Sequence, residues 1–581
     1  MLNLLKFLNK KEWFFIFLTA GLVVVSVWLD LKLPSYMSEI TEKLYAGAQW
    51  KDLLAPGGMM LLCAILSGIA SVVSAFFVAQ IAGGFGSKLR DVIYQKVIGF
   101  SNAEMDKFSV SSLITRTTND VTQVQNLVAM GVVVLIRAPV MAIWAITIIL
   151  TKSWQWTALM GGVLLALLLV VVLIVVIVLP KYKQVQKLTD SLNQNARENL
   201  NGMRVVRAFN AEEFQKQKFE QANINLTNNQ LFINKAMSFM FPFMSLLASV
   251  LSLGIYWLGA YIIDAASLAE KATLFGDMIV FMSYAMQVVM SFIMLIAIFI
   301  LLPRALVASK RINEVLKTNG SIYDGKGEVT RSVGEVEFRN VSFSYPNAEK
   351  KILNNISFKI EQGQMLAIIG STGCGKSTLI NLIPRLYDAT EGEVLVDGEN
   401  VKNYTLSNLN KKIAYVAQRP VLFSGTIKEN LSYGDSNGDE SDEALHTALQ
   451  IAQASEFVDA LPDGMNSKLN QGGANLSGGQ KQRLSIARAI ARKPEIIVFD
   501  DSFSALDYQT DKNLREALKN HLEGTTCVIV AQRISTIKDA DKILVLDDGE
   551  IVGFDNHKNL MKNCKIYQEI ALSQLSKEEL K

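Results

Sequence analysis

The stretch MLAIIGSTGCGKSTLINLI, residues 365–383, decides how the second half of this chain folds. An apolar run, MLAIIG, leads into a loop rich in glycine, and STLINLI then has the composition of a helix. Glycines allow the backbone N–H groups of such a loop to wrap around phosphates, and the dipole of the following helix favours the same anion. The order strand, loop, helix therefore predicts a P-loop that binds a nucleoside triphosphate.

The residue types in this loop match what phosphate binding requires. Lys376 can reach the β- and γ-phosphates, and the Ser377 hydroxyl can bind Mg²⁺. Cys374 is interpreted as a small space-filling residue rather than a reactive one. We expect ATP and Mg²⁺ as cofactors, and we assign nucleotide contact to Gly370, Ser371, Thr372, Gly373, Cys374, Gly375, Lys376, Ser377 and Thr378.

A second acidic motif completes the predicted metal site. Asp500 closes the apolar stretch EIIVFD, residues 495–500, where an ionised carboxylate is costly unless a cation or hydrogen-bond donors compensate it. Magnesium, which prefers oxygen ligands and keeps several waters, is the natural partner. The sequence therefore predicts that Ser377 and Asp500 share a metal ion.

The first half of the chain has the composition of a membrane protein. Half of all residues are hydrophobic, and the mean hydropathy of +0.25 is high for a soluble protein of this size. Apolar stretches of about 20 residues are long enough to cross a bilayer as helices. Six of them precede residue 305, near residues 13–33, 57–84, 128–151, 156–179, 239–263 and 277–302.

Charge and cysteine content narrow the class further. The net charge of +3 does not by itself imply a nucleic-acid partner, and four scattered cysteines without a CxxC pair indicate neither a disulfide framework nor a zinc site. The loop 180–236 is rich in lysine and arginine, which places the long loops in the cytosol. This loop and the loop 85–126 are amphipathic, so we expect helices that continue beyond the membrane.

The stretch NLSGGQKQRLSIARAI, residues 475–490, carries a resemblance to a known family. Together with the P-loop, it resembles the nucleotide-binding domain of an ATP-binding cassette (ABC) transporter, whose signature is LSGGQ. In that family the signature of one domain covers the γ-phosphate held by the P-loop of a second domain. The resemblance implies that Ser477, Gly478, Gly479 and Gln480 act in trans and that a paired partner exists.

The resemblance extends over nearly the whole chain. Six spans followed by one cassette is the half-transporter plan of the type IV, B-subfamily-like exporters of drugs and lipids. It implies an all-α six-helix transmembrane domain followed by an α/β P-loop ABC domain, with boundaries at 1–304, 305–334 for the linker and 335–581. The stretch ENLNGMRVVRAFNAEEF, residues 198–214, resembles the intracellular loop whose short coupling helix docks into the partner's cassette.

Further family positions can be matched one by one. Tyr345 in FSYPN resembles the aromatic residue that stacks on adenine, although packing in the core is the alternative. Gln418 in YVAQRPVLF resembles the glutamine that senses Mg²⁺ and the transmembrane domain. SALD, which ends at Asp507, resembles the loop that crosses between two cassettes.

Three positions depart from the family pattern. The family usually places a glutamate directly after the strand aspartate and a histidine in its switch loop, whereas this chain has Asp501 and Gln532. Aspartate is shorter by one methylene, and glutamine cannot become a cation or shuttle a proton as histidine does. Gln471 stands where exporters commonly have a glutamate. Because two changes weaken the same water-activating step, we expect ATP to bind here and to turn over slowly.

These departures predict one half of a heterodimeric multidrug exporter in a bacterial cell membrane, with its N-terminus and cassette in the cytoplasm. A second half-transporter would supply a consensus site, and the substrate would be a hydrophobic or amphipathic compound taken from the lipid. A lipid or peptide exporter of the same architecture, or a homodimer with a slow aspartate-based site, stays open. A soluble ATP-driven switch is excluded by the six spans.

Several charged residues lie within or near the spans. Arg137 and Pro139 fall inside the third span, where an arginine is expensive unless it faces a wet cavity or a carboxylate. Substrate contact and pairing between helices are both open for Arg137. Asp30, Asp264 and Asp277 lie near outer span ends, where they are either interfacial or part of an external gate.

Overall fold

A computed structural model describes residues 3–151, 153–267, 270–325, 327, 333–346, 348, 350–434 and 441–574. The chain separates into two compact units. The helical unit comprises Met1–Gln95 and Leu113–Lys317, and the α/β unit comprises Lys96–Ser112 and Thr318–Lys581. The short segment Lys96–Ser112 thus belongs to the α/β unit although it lies in the first half of the sequence.

Six helical segments of the described chain are long and apolar enough to cross a membrane, as the sequence predicts. Their most apolar windows have mean hydropathies between 1.9 and 3.7. The helices of the first 317 residues are α1 (Lys10–Tyr45), α2 (Trp50–Ile98), α3 (Asn102–Phe108), α4 (Val110–Thr115), α5 (Val121–Ile149), α6 (Trp154–Asn201), α7 (Met203–Ala208), α8 (Glu212–Ser238), α9 (Met240–Asp264) and α10 (Lys271–Lys317).

The core of the helical unit is built from large side chains on facing helices. Trp156 of α6 packs against Phe281 of α10, with ring centroids 5.5 Å apart. Tyr284 of α10 is buried, and its hydroxyl donates to the backbone carbonyl of Leu31 over 2.6 Å. A buried tyrosine hydroxyl needs such a partner, so this bond ties α10 to α1.

The last membrane helix is longer than its apolar stretch. α10 continues through Lys317, so the first part of the segment predicted as a linker, 305–334, is helical. Ala305, Ala308 and Ile312 are buried, and this apolar spacing keeps the polar extension packed inside the helical unit. Residues 326 and 328–332 of that segment lie outside the described residues.

The α/β unit is organised around two sheets. The larger has the strand order β12-β11-β3-β10-β9-β6, in which β12 is antiparallel and the other strands are parallel. The smaller has the antiparallel order β2-β1-β4-β5, and β7 pairs with β8. The strands are β1 (Val336–Phe343), β2 (Leu353–Ile360), β3 (Met365–Gly370), β4 (Glu391–Val396), β5 (Glu399–Asn400), β6 (Ile413–Val416), β7 (Gly425–Thr426), β8 (Lys468–Leu469), β9 (Ile496–Asp500), β10 (Thr526–Val530), β11 (Lys542–Asp547) and β12 (Glu550–Asp555).

Parallel strands that are buried on both faces have continuous apolar sequences, and β9 and β10 are buried at every position.

The further helices of this unit are α11 (Lys376–Asn381), α12 (Leu406–Lys412), α13 (Ile427–Leu431), α14 (Asp442–Ile451), α15 (Ser455–Asp459), α16 (Gly478–Ala491), α17 (Tyr508–His521), α18 (Ile534–Ile537), α19 (His557–Asn563) and α20 (Lys565–Gln574). The carboxyl ends of β3, β6, β9 and β10 meet at one edge of the sheet, so the loops that follow them converge there.

The segment Lys96–Ser112 is held in the α/β unit by polar contacts of α3. The Tyr387 hydroxyl donates to Asp106 Oδ2 over 3.1 Å, and the backbone N–H of Ser321 donates to Glu104 Oε1 over 3.1 Å. Ser101 forms a capping box with Glu104 at the start of α3. This one-turn cap explains why a helix of only seven residues is stable in this position.

Candidate ATP site

The predicted P-loop lies between β3 and α11, as its sequence indicates. Gly373 and Gly375 have φ values of +88° and +102°, a region that side chains with a Cβ rarely adopt. A Cβ at Gly370 would collide with the backbone carbonyl oxygen of Leu546 on the neighbouring strand. The glycines are therefore required by the turn itself and by its close approach to β11.

The loop brings a charged donor and a hydroxyl group to the sheet edge. The Lys376 ammonium donates to the carbonyl oxygens of Gly370 and Ser371 over 2.8 and 2.7 Å. Cys374 is buried, which agrees with the space-filling role expected from the sequence. The loop residues therefore form one structure in which backbone N–H groups and Lys376 can meet a phosphate.

Ser377 and Asp500, predicted to share a metal ion, are in direct contact. The Ser377 hydroxyl donates to Asp500 Oδ1 over 2.8 Å, and the Tyr415 hydroxyl donates to Asp500 Oδ2 over 3.1 Å. These oxygen atoms fit Mg²⁺, which prefers hard oxygen ligands. In the described part of the chain no cluster of three or more His, Cys, Asp or Glu residues could hold a metal by itself. The remaining ligands would therefore come from phosphate oxygens and water.

Asp501, the next residue, has an unusual backbone conformation. Its φ is +48°, in the left-handed region where aspartate is tolerated better than most residues. Its N–H donates to the carbonyl of Val530 over 3.0 Å, which keeps the turn against β10. This turn directs the chain away from the sheet immediately after Asp500 and leaves Asp501 buried.

The Asp501 carboxylate is held by two amide side chains that the sequence places far apart. Gln532 Nε2 donates to Asp501 Oδ2 over 2.9 Å, and Gln418 Nε2 approaches the same oxygen at 3.2 Å. Neither donor is ionisable. Asp501 and Gln532, which are predicted to act on water, are thus brought together with Gln418, although the catalytic roles of all three stay predictions.

The environment of Asp501 shifts its protonation equilibrium. Burial raises the pKa of this carboxyl above its ordinary value, and the nearby charge of Asp500 acts in the same direction. The hydrogen bond from Gln418 and the charge of Lys376 oppose the shift without cancelling it. The carboxylate form is therefore less favoured here than in a solvent-exposed aspartate.

One residue beside this site was not found by sequence reasoning. Gln574, at the end of α20, donates from Nε2 to the backbone carbonyl of Gln532 over 2.7 Å and accepts from the N–H of Ile534 over 2.8 Å. It also lines a cavity of about 470 Å³ that includes Asp501 and Gln532. No motif marks this position, because its importance depends on where α20 packs.

Tyr345 lies beside the P-loop within a group of aromatic rings. Its hydroxyl is 3.0 Å from the Thr378 hydroxyl, and its ring makes edge-to-face contacts with Phe343 and Tyr387 at 5.0 and 5.3 Å. These contacts hold the ring next to the residues predicted to bind phosphate. Adenine stacking stays a prediction for Tyr345.

The signature residues occupy the start of α16. Ser477 and Gln480 form a capping box, in which Ser477 N–H donates to Gln480 Oε1 over 2.9 Å and Gln480 N–H donates to Ser477 Oγ over 3.3 Å. Ser477 and Gly478 are exposed, and a Cβ at Gly478 would meet open space. The backbone of the signature is therefore accessible to a ligand from outside this chain.

The stretch 198–214 contains the short helix expected from its resemblance. α7 spans Met203–Ala208 between the two long helices α6 and α8. Leu200, Phe209 and Phe214 beside it are 72%, 78% and 67% exposed. An apolar tip of this kind on a helical hairpin is typical of a docking element.

Six membrane helices and a P-loop unit with an exposed signature define the class of an ATP-driven membrane transporter. Two family models match the chain: the ABC transporter transmembrane region over residues 16–316 and the ABC transporter domain over residues 353–504. The chain belongs to the ABC transporter family. It is a multi-pass protein of the bacterial cell membrane with a cytoplasmic ATP-binding domain that hydrolyses ATP to drive export.

Curated relatives match over nearly the full length. An uncharacterised ABC transporter ATP-binding protein of Mycobacterium tuberculosis is 37% identical over 559 residues, covering 95% of this chain and 94% of that protein. YfiB of Bacillus subtilis, also an ABC transporter ATP-binding protein, is 35% identical, covering 96% of both chains. An ATP-dependent lipid A-core flippase of Pseudomonas aeruginosa is 33% identical, covering 89% of this chain and 86% of the flippase.

A solved structure has the same fold. A bacterial Atm1-family ABC exporter with ATP bound superposes with a TM-score of 0.76 and covers 95% of this chain and 96% of its own. Its sequence identity of 23% supports the likeness of the fold alone. The predicted fold class, a six-helix membrane domain followed by an ABC domain, is confirmed.

Proposed function

We propose that this chain is one half of a heterodimeric exporter of hydrophobic or amphipathic compounds. In this proposal its own ATP site hydrolyses slowly and its signature completes the site of a partner. The observation that carries the proposal is the Asp501 carboxylate, which two uncharged amides hold at one oxygen. Exporters of this family act as dimers on lipid or hydrophobic substrates, so a weak site on one chain is compatible with a working pair.

The chemistry of the site supports slow turnover. A base that activates water must offer a carboxylate oxygen at the γ-phosphate, and a misplaced base typically forfeits about 10²–10⁴ in rate. Asp501 has one methylene fewer than glutamate, which withdraws its carboxylate from the water that it would polarise. Gln532 cannot donate a positive charge to the transition state. Asp500, Ser377 and Lys376 are of the types that ATP and Mg²⁺ need, so binding without rapid hydrolysis follows.

The exposed start of α16 supports the second part of the proposal. Ser477 Oγ and the N–H groups at this helix start form an anion-binding arrangement, and α16 is 14 residues long. These groups can bind a phosphate only if the P-loop of another chain approaches the signature. The predicted docking of α7 into a partner's cassette fits the same head-to-tail arrangement.

The partner can be tested directly. When the full chain is tagged and purified from its native membranes, a second half-transporter should co-purify with it. That partner should carry glutamate after its strand aspartate and histidine in its switch loop. The chain expressed alone should have little ATPase activity, and activity should appear when the two are coexpressed. Rapid, substrate-stimulated ATP hydrolysis by the chain alone would favour the homodimer with an aspartate-based site.

A lipid exporter is the second candidate, because a relative of 33% identity is named as a lipid A-core flippase. Reconstitution of the active pair separates the two functions. Movement of a fluorescent phospholipid between leaflets, with no uptake of amphipathic dyes into inverted vesicles, would select the lipid substrate. If the pair hydrolysed ATP and moved neither probe, both substrates would be contradicted, and peptides would be the next class to test.

A further inference from the structure

The helical unit contains a cavity of about 390 Å³ between four membrane helices. This volume falls within the roughly 300–1,000 Å³ that is usual for small-molecule sites. The lining comes from α1, α2, α5 and α10 and includes Asp30, Met37, Met60, Met141, Ser283 and Gln287.

Asp30 is the one charged side chain among the described residues that line this cavity. Arg137 Nη2 donates to its Oδ2 over 2.9 Å, and Ser67 Oγ donates to its Oδ1 over 2.5 Å. The structure thus shows Arg137 in a pair between α1 and α5. The guanidinium is not part of the cavity lining, so the cavity is faced by the carboxylate and not by the arginine.

Its two partners leave part of the Asp30 carboxylate's capacity to accept hydrogen bonds unused. An ionised acid inside a membrane protein is expensive unless it is paired, and Arg137 and Ser67 provide the pairing. A carboxylate has about four lone-pair sites, and these two partners use two of them. The remaining sites can attract a positive group that enters the cavity.

The other polar lining groups can accept hydrogen bonds from a ligand. Gln287 Oε1 is buried and has no hydrogen-bond partner among the described residues, and a buried acceptor without a partner costs free energy. Rotation of this amide toward the cavity would offer a second acceptor. Ser283 adds a hydroxyl that can accept a hydrogen bond.

The rest of the lining is apolar and adaptable. Met37, Met60 and Met141 come from three different helices. Thioether side chains are flexible and polarisable, and they fit apolar groups of varied shape. A ligand would therefore place an apolar body among the methionines and a charged end against Asp30.

We propose that this cavity binds an amphipathic organic cation. The inference rests on the proposed export of amphipathic compounds and specifies the substrate class. An amphiphile with an anionic head group would place its charge against the Asp30 carboxylate, so the same cavity disfavours it. The lining thus distinguishes cationic from anionic amphiphiles.

The test uses two ions of matched shape and opposite charge. The purified full chain in phosphatidylcholine nanodiscs is titrated with tetraphenylphosphonium and with tetraphenylborate, and partition into empty nanodiscs is subtracted. We expect saturable phosphonium binding that is at least about tenfold tighter than borate binding, a difference of about 1.4 kcal/mol. Equal affinities, or tighter borate binding, would overturn the proposal.

An exchanged pair tests the role of the charge itself. Asp30→Arg combined with Arg137→Asp keeps an ion pair between α1 and α5 and reverses the charge that faces the cavity, so the preference should invert toward borate. Asp264→Asn, at the end of α9, is the control and should leave the preference unchanged. An exchanged chain that folds and still prefers phosphonium would contradict the assignment of Asp30.

The wild-type comparison stands even if the exchanged chain does not fold. Binding to the full chain requires neither ATP hydrolysis nor a partner, so failure of the heterodimer would not affect this result. Conversely, a working pair without a cation preference would contradict the cavity assignment alone.

Discussion

Gln532 Nε2 lies 2.9 Å from Asp501 Oδ2 and donates a hydrogen bond to the carboxylate that is predicted to activate water. Gln418 approaches that oxygen at 3.2 Å. In the family pattern the switch-loop position is a histidine, which can carry a positive charge. Here the donor is an uncharged amide, so it stabilises the ionised carboxylate less than a cation would.

Two substitutions separate the roles of the signature and of Asp501. In the active pair, Ser477→Ala should reduce ATP hydrolysis by about 10²-fold, since removing one donor to a developing charge typically costs 10²–10³. Asp501→Asn should change total turnover by less than about twofold, because a misplaced base contributes little to the rate. Steady-state phosphate release is the measurement.

Gln509→Ala, an exposed position on α17, is the control and should leave turnover unchanged. A larger loss for Asp501→Asn than for Ser477→Ala would reverse the assignment of the two sites.

Restoring the family pattern should increase hydrolysis at this P-loop. Asp501→Glu with Gln532→His supplies the longer acid and the ionisable partner. The rate of hydrolysis should rise toward the factor of about 10²–10⁴ that a correctly placed general base contributes. The left-handed φ of +48° at Asp501 limits the gain, because that conformation costs most L-residues about 1–2 kcal/mol. Trapped nucleotide at this P-loop should change from ATP to ADP.

Gln532→His alone is the matched control and should leave ATP bound, since the acid is still too short. ADP trapped by the unmodified chain during steady turnover would show that Asp501 already acts as a base.

The raised pKa of Asp501 predicts a pH-dependent effect on stability. Because burial raises this pKa in the folded protein, the folded state loses stability as pH rises from the unfolded value of about 3.9 through the folded value. Asp501→Asn should therefore be more stable than the wild type near pH 7 and equal to it at low pH. Thermal unfolding of the full chain across this range measures the difference.

A stability difference between Asp501→Asn and wild type that does not change with pH would contradict the shift. Asp507→Asn is a useful comparison, because hydrogen bonds from Thr510 lower the pKa of that exposed acid. The effect of Asp507→Asn on stability should therefore have the opposite sign: the wild type should be the more stable protein at pH values above the pKa of Asp507.

Gln574 should hold the loop that presents Gln532. Gln574→Ala removes the bonds to Gln532 O and Ile534 N–H, each worth about 0.5–1.5 kcal/mol. We expect faster hydrogen exchange at the Ile534 amide and a shorter dwell time of ATP at this P-loop, while unfolding of the domain changes little.

Gln568→Ala on the same helix is the control, because the Gln568 amide donates to Met561 O at a distance from the loop. Equal effects of the two substitutions would show that Gln574 only stabilises α20.

Local patterns in the sequence determined most of the fold. Long apolar stretches must form helices in a membrane, where every backbone polar group needs an internal partner, and the six spans follow from this. The strand, loop and helix around Gly370–Thr378 and the pair Ser377 and Asp500 were predictable because short motifs impose local geometry. The extension of α10 to Lys317 was not, because its polar surface hides a buried stripe that packs only in the folded unit.

Contacts between distant segments were decided by the tertiary structure alone. No sequence pattern indicates that Gln574 binds the loop at Gln532, or that Arg137 pairs with Asp30 across two helices. Each partner is one polar residue among many of its type, and its role depends on how whole helices pack. The amino-acid sequence therefore determined the helices, the strands and the residues of the nucleotide-binding motifs. Tertiary packing decided which side chains surround Asp501 and which charged side chain lines the membrane cavity.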